Sequence, residues 1–267
     1  MFKLNNDSQV PEIGFGTWRL ENDDNTSDIV AEALRAGYRY VDTADMYENE
    51  EAVGRGLKAS GLAREEYQIA TKLDNDVRGY DETIEAFYAS MKKLNLDYVD
   101  VFLIHWPVPI MVDKPWQEYN ASTWKAFETL YEEGKLRTLG VSNFREEHYD
   151  ALMQTAKIKP AMNQIKIHPG VLDLENIKYF EAEDILLQAY SPLGRGGILG
   201  EGTVLEDLAT KYDKSEAQIA LRWGVDRGYQ VLPKSANPGR IKENIDIFDF
   251  SLTAEEIAAI DKLEIPK

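Results

Sequence analysis

The sequence predicts an α/β fold in which eight parallel strands close into a (β/α)8 barrel of the TIM type, forming a single domain over residues 1–267. Eight short, apolar, β-prone runs recur along the chain, and helical patterns separate them. No linker, low-complexity tract or charge run divides the sequence. Strands separated by helices pair in parallel through right-handed crossovers, and their number favours a closed barrel over an open doubly wound sheet.

The predicted elements follow in a regular order. The strands are Ile13–Thr17, Tyr38–Asp42, Gln68–Lys72, Tyr98–His105, Thr138–Ser142, Ala161–Ile165, Ile185–Tyr190 and Gln230–Pro233. The helices are Ser27–Ala36, Asn49–Ser60, Asp81–Leu94, Thr123–Glu133, Glu146–Ala156, Asn176–Glu183, Ser215–Asp226 and an additional C-terminal helix, Thr253–Leu263. Ser27 and Asp81 are predicted N-caps, and Gly37, Gly61 and Gly134 stand where helices should stop. The polar stretch Pro107–Ala121 is long for a loop and is expected to shape substrate access.

Composition and charge limit the possible partners. A net charge of −17 disfavours nucleic acid and anionic membrane surfaces. The chain has no cysteine, which excludes disulfides and thiolate chemistry and is compatible with a reducing cytoplasm. The N-terminal segment Met1–Val10 lacks the apolar run of a signal peptide, and no stretch is long enough to span a membrane. We therefore expect a cytoplasmic monomer with a small-molecule partner.

Polar side chains stand at the ends of the predicted strands, which is where barrel enzymes carry their chemistry. Asp42, Lys72 and His105 end the second, third and fourth strands, and Tyr47 follows in the second loop. Each could be structural, as an ion pair, a helix cap or a buried histidine. An ammonium group beside Tyr47 should lower the pKa of the phenol and make it a better proton donor to a developing alkoxide, with His105 donating a hydrogen bond to the same oxygen.

Six segments carry a family resemblance. They are GYRYVDTA, the segment from Asp42 to Lys72 (DTADMYENEEAVGRGLKASGLAREEYQIATK), IHWP, GVSNF, AYSPLGRGG and LPKSANPGRIKEN. In order and spacing they resemble the aldo-keto reductase superfamily, within it the bacterial branch that includes 2,5-diketo-D-gluconate reductases. The resemblance implies a catalytic tetrad of Asp42, Tyr47, Lys72 and His105, with Tyr47 as the general acid in NADPH-dependent reduction of aldehydes and ketones.

The same resemblance implies where NADPH binds. Tyr190 would stack on the nicotinamide, and Ser142, Asn143 and Gln164 would hold its carboxamide. The remaining cofactor contacts implied by the family are Ser191, Leu193, Lys234, Ser235, Arg240, Glu243 and Asn244. Lys234, Ser235 and Arg240 would hold the 2′-phosphate, which favours NADPH over NADH, although a solvated helix start would have the same composition. GFGTW and GRGGILG, by contrast, lack the dinucleotide fingerprint.

The substrate is less well defined. Trp18 and Trp106 are candidates for an apolar wall around the carbonyl, whereas Trp116 fits either core or pocket. Asp74 and Lys166 depart from relatives that reduce sugar-derived ketones, and the chain stops soon after its last helix. These features suggest an open pocket that accepts aldehydes, α-keto compounds and dicarbonyls.

Two other functions fit parts of the pattern. In a Schiff-base aldolase Lys72 would be the nucleophile, and in a nucleotide sensor the barrel would bind without reacting. A metal enzyme is disfavoured, because the three histidines, His105, His148 and His168, lack ligand-like spacing. The intact tetrad argues against a sensor.

Overall fold

The computed structural model describes residues 1–109, 115–200 and 202–263. Eight parallel strands form one sheet in chain order, and the hydrogen bonds Gly14 N to Val231 O and Gly16 N to Pro233 O, both 2.9 Å, join its two edges. The predicted (β/α)8 barrel is therefore confirmed. Its strands are β3 (Phe15–Gly16), β4 (Tyr40–Asp42), β5 (Gln68–Leu73), β6 (Val99–Ile104), β7 (Leu136–Ser142), β8 (Met162–Lys166), β9 (Leu186–Tyr190) and β10 (Gln230–Leu232).

Helices surround the barrel. Those described are α1 (Asp24–Arg35), α2 (Glu50–Ala59), α3 (Tyr80–Leu94), α4 (Trp116–Glu132), α5 (Glu146–Met153), α6 (Leu174–Ala182), α7 (Val204–Tyr212), α8 (Glu216–Asp226), α9 (Pro238–Ile245) and α10 (Ala254–Ile260). Across the three described ranges, none is long and apolar enough to cross a membrane.

Several predicted details were wrong. Ser27 lies inside α1, whose N-cap is Asp23, and Asp81 lies in the first turn of α3, whose N-cap is Gly79. Helix α4 starts at Trp116, inside the predicted polar stretch Pro107–Ala121, because a strong helical pattern continues upstream of Thr123. The part of that stretch over residues 110–114 lies outside the described residues.

Two elements of the structure were not predicted from the sequence. Helix α7 precedes α8, and an antiparallel hairpin of β1 (Phe2–Lys3) and β2 (Gln9–Val10) precedes the barrel. Leu4 and Val10 of this hairpin belong to a buried cluster with Tyr40 and other side chains of the barrel interior. The hairpin thus contributes to the core of the barrel.

Strand periodicity positions the polar site. Successive strand residues point to opposite sides, so residues two apart share a face. Tyr40 of β4 and Ala70 of β5 belong to the interior cluster, whereas Val41 and Ile69 pack in the outer core against the helices. Asp42 and Lys72 therefore face the barrel interior at the carboxyl end of the sheet.

Candidate active site

Four predicted catalytic residues converge at this end of the barrel. Lys72 is completely buried, and its Nζ donates to both carboxylate oxygens of Asp42 at 2.8 Å and to the carbonyl oxygen of Thr43 at 2.7 Å. The same ammonium group lies 3.4 Å from the hydroxyl oxygen of Tyr47. The rings of Tyr47 and His105 meet edge to face, with centroids 5.8 Å apart. A phenol, a cation and an imidazole thus meet in one place.

The pKa of Tyr47 differs from the sequence expectation. Burial raises the pKa of the phenol, and this effect exceeds the lowering caused by the positive charge of Lys72. The net pKa lies above the ordinary value, so the expected lowering was wrong in sign even though the lysine acts in the expected direction. Tyr47 consequently keeps its proton at neutral pH, as a proton donor must.

His105 is held in its neutral form. Burial lowers the pKa of its imidazole to about 3, and the positive charges of Lys72 and Arg78 contribute to the lowering. Its Nδ1 has no hydrogen-bond partner among the described residues. A neutral imidazole carries a single N–H, which can donate to a substrate oxygen without adding a charge to the site.

A polar chain connects Asp42 to the interior of the barrel. Gln164 donates through Nε2 to Asp42 Oδ1 at 2.8 Å and to Gln188 Oε1 at 3.2 Å. Gln188 donates in turn to Tyr40 Oη at 2.8 Å and to Gln230 Oε1 at 2.5 Å. These side chains are buried, and their hydrogen bonds fix the carboxylate that orients Lys72, although Nε2 of Gln230 at the far end of the chain has no partner among the described residues.

The predicted carboxamide-binding residues also form a connected group. Asn143 donates through Nδ2 to the carbonyl oxygen of His105 and to Ser142 Oγ, both at 3.0 Å, and its Oδ1 accepts from Tyr190 Oη at 3.1 Å. Asn143 adopts a left-handed backbone conformation with φ 61°, which is uncommon outside glycine and least costly for asparagine. These bonds connect the ends of β6, β7 and β9.

A cavity of about 860 Å³ joins the predicted residues, a size within the range of cofactor and ligand sites. Lys72 does not line it, because it is covered by Asp42 and Tyr47. The predicted residues that line it are Trp18, Asp42, Tyr47, His105, Trp106, Ser142, Asn143, Gln164, Tyr190, Ser191, Leu193, Lys234, Ser235, Arg240, Glu243 and Asn244. The cavity therefore extends from the tetrad to the first turns of α9, and its lining fits a dinucleotide.

Other residues singled out in the sequence lie elsewhere. Trp116 packs against the ring of His148, with centroids 4.9 Å apart, and Asp74 and Lys166 do not line the cavity. Within the described part of the chain, no group of three or more His, Cys, Asp or Glu side chains could hold a metal ion.

The burial of Glu50 was not predicted from the sequence. Its side chain is buried at the start of α2, where Oε1 accepts a 2.6 Å hydrogen bond from Thr71 Oγ1. Burial raises the pKa of Glu50 to about 7. Lys93 lies 3.8 Å from Glu50 and also pairs with Asp45 of the Tyr47 loop. An acidic residue in the first turn of a helix is usually exposed, so nothing in the sequence distinguishes this buried one.

The sequence of this chain matches a known protein family. Residues 12–265 match the Aldo/keto reductase family. The chain belongs to the aldo/keto reductase family. The resemblance found in the sequence is confirmed, and the protein is an oxidoreductase.

This aldo/keto reductase is 43% identical to the glyoxal reductase of Bacillus subtilis over 98% of the chain and 91% of that protein. Among solved structures, an aldo/keto reductase from Brucella melitensis shares 44% identity, with a TM-score of 0.91, 98% of this chain and 96% of that chain covered. The aldo-keto reductase of Bombyx mori in complex with NADP shares 37% identity, with a TM-score of 0.88, 98% of this chain and 91% of that chain covered.

Proposed function

We propose that the protein, acting as one barrel domain, reduces aldehydes and ketones to alcohols with NADPH, and that α-keto and dicarbonyl compounds are among its substrates. The placement of Tyr47 carries this proposal: a protonated phenol lies 3.4 Å from the buried ammonium group of Lys72 and lines the same cavity as His105. The similarity to a glyoxal reductase supports small dicarbonyls, and the NADP complex of a relative supports the cofactor.

Each tetrad residue has a proposed role. The reduced nicotinamide, when bound, supplies the hydride. Tyr47 donates its proton to the carbonyl oxygen, and Lys72 stabilises the phenolate that remains until solvent returns a proton. Asp42 balances the charge of Lys72 and keeps its amine oriented. His105, neutral at working pH, positions the carbonyl oxygen by hydrogen bonding.

The aldolase alternative is disfavoured by the state of Lys72. Burial lowers the pKa of its amine, but the negative charge of Asp42 and the hydrogen bonds to Asp42 and Tyr47 raise it by more, so the net pKa lies above the ordinary value. A Schiff-base lysine needs a neutral, accessible amine. Lys72 is charged, completely buried and fully hydrogen-bonded.

The function is tested by following the absorbance of the reduced nicotinamide with glyoxal, methylglyoxal and larger aldehydes and ketones. We expect carbonyl-dependent consumption of NADPH at a higher kcat/KM than of NADH. Absence of cofactor consumption, together with borohydride trapping of a substrate on Lys72, would instead establish the aldolase.

Arg240→Ala should weaken NADPH binding more than NADH binding. Arg240, Lys234 and Ser235 line one end of the cavity at α9, where we propose that they hold the 2′-phosphate. A charge-assisted hydrogen bond contributes about 1.5–3 kcal/mol, which corresponds to a loss of about tenfold or more in NADPH affinity. Fluorescence titration with both cofactors measures the effect, and equal weakening of the two would contradict a phosphate contact.

A further inference from the structure

A methionine stands at the cavity wall next to the proposed acid. Met46 occupies the middle of the short 3-10 helix Asp45–Tyr47, lines the cavity and is 42% exposed. The chain contains no cysteine, so thioether sulfurs are its most readily oxidised side-chain atoms. Peroxide that enters the cavity therefore meets an exposed thioether beside the reacting groups.

Exposure separates Met46 from the other methionines that the structure describes. Met91 and Met162 are buried, and Met153 is half-buried at the end of α5. Met1 is exposed, but it lies at the N-terminus and does not line the cavity. Oxidation of a sulfur-containing side chain follows its exposure to the oxidant. Within the described ranges, Met46 alone combines ready access with a position at the cavity.

A buried amide points at the sulfur of Met46. Asn75 Nδ2 lies 3.5 Å from Met46 Sδ, although Asn75 is only 5% exposed. Its Oδ1 has no hydrogen-bond partner among the described residues. A thioether sulfur is a weak acceptor, whereas buried amides normally form strong hydrogen bonds. The amide of Asn75 is thus poorly satisfied, and a stronger acceptor on Met46 would improve its bonding.

The loop that carries Asn75 is fixed by a buried arginine. The guanidinium group of Arg78 donates to the carbonyl oxygen of Asp74 at 2.8 Å and to that of Trp106 at 2.7 Å. These bonds tie the loop after β5 to the loop after β6. The amide of Asn75 is therefore held against the sulfur of Met46.

We propose that Met46 is a reversible oxidation site, at which peroxide converts the thioether to a sulfoxide and Asn75 binds the new oxygen. The lone pair of the sulfur attacks one oxygen of hydrogen peroxide, and the S–O bond forms as the O–O bond breaks. The departing hydroxide takes the proton of the transferred oxygen and leaves as water, so the sulfur loses two electrons and the peroxide gains them. Two thiols, used by a methionine sulfoxide reductase, return the thioether with release of water and a disulfide.

The oxidised side chain would suit Asn75 and alter the cavity. A sulfoxide oxygen accepts hydrogen bonds more strongly than a thioether sulfur, and Asn75 Nδ2 is placed to donate to it. The change also replaces an apolar side chain by a polar one beside Tyr47. On the proposed reductase function, it should weaken the reduction of carbonyl compounds that carry apolar groups. This consequence rests on the proposed function, whereas the oxidation itself does not.

Peptide mapping by mass spectrometry, after limited treatment with hydrogen peroxide, tests the site without any assay of turnover. We expect sulfoxide to form at Met46 at least about tenfold faster than at Met91, Met153 or Met162. Equal rates at Met46 and the half-buried Met153 would overturn the proposal, whether or not the protein reduces carbonyl compounds.

The effect on reduction is measured after the peroxide has been removed. The oxidised wild type should lose about threefold or more in kcat/KM with benzaldehyde and change less with glyoxal, which has no apolar group. Each variant is compared with its own untreated form. Met46→Leu should show no peroxide-dependent loss, whereas Met153→Leu, the matched control, should respond as the wild type does. A loss that persisted in Met46→Leu would refute the role of Met46 in the change of activity.

The variant Asn75→Ala tests the contact with the sulfoxide oxygen. Because this variant lacks the amide donor, oxidation should lower its Tm by about 2–4 °C more than it lowers that of the wild type. Equal shifts in the two proteins would show that Asn75 does not bind the oxidised side chain.

Discussion

Tyr47→Phe should lower the rate of carbonyl reduction by about 10²–10⁴-fold while leaving NADPH affinity unchanged. The substitution removes the hydroxyl group that we propose as the proton donor and keeps the aromatic ring that lines the cavity. Without a proton donor, the developing alkoxide has only hydrogen bonding for stabilisation. Single-turnover kinetics should therefore slow, and fluorescence titration with NADPH should match the wild type.

Tyr80→Phe serves as the matched control for this substitution. Its hydroxyl group bonds to Thr129 Oγ1 at 3.1 Å between α3 and α4, away from the cavity. We expect unchanged turnover in that variant. Near wild-type turnover in Tyr47→Phe would remove Tyr47 as the acid.

Much of the architecture follows from the sequence because buried parallel strands leave a direct signal. Runs such as Tyr98–His105 (YVDVFLIH) are mostly apolar and rich in β-branched residues, and they recur between helical patterns. Their order also predicts which side chains meet, since all parallel strands end at one rim. The positions of Asp42, Lys72 and His105 could be predicted for this reason.

Local details were less predictable because alternatives of similar free energy compete. Asp23 and Ser27 are both good N-cap residues, and the structure uses Asp23, whose carboxylate accepts from Thr26 N at 2.8 Å. The hairpin Phe2–Val10 has short strands and little alternation. Tertiary contacts bury this hairpin against the end of the barrel, and a local sequence pattern does not predict such contacts.

The electrostatics of the site could not be predicted from residue types. Proximity of Lys72 to Tyr47 predicts a lowered phenol pKa, yet burial is the larger effect. Burial, which residue types alone do not reveal, therefore decides the pKa of the phenol.

Lys72→Met should destabilise the protein by about 3–5 kcal/mol, because it leaves the buried carboxylate of Asp42 without its counter-charge. The methionine approximates the volume of the lysine, so loss of packing contributes little. Urea unfolding at neutral pH, followed by circular dichroism, measures the change in the free energy of unfolding.

The double variant Asp42→Asn/Lys72→Met separates the structural role of Lys72 from its proposed catalytic role. An asparagine at position 42 carries no charge, and its amide oxygen can still accept the hydrogen bond from Gln164. We expect the double variant to regain most of the stability lost in Lys72→Met, whereas carbonyl reduction stays low because no ammonium group stabilises the Tyr47 phenolate. Recovery of both stability and turnover in the double variant would show that Lys72 acts through folding alone. If the double variant stayed as unstable as Lys72→Met, the unpaired charge of Asp42 would not be the cause of the lost stability.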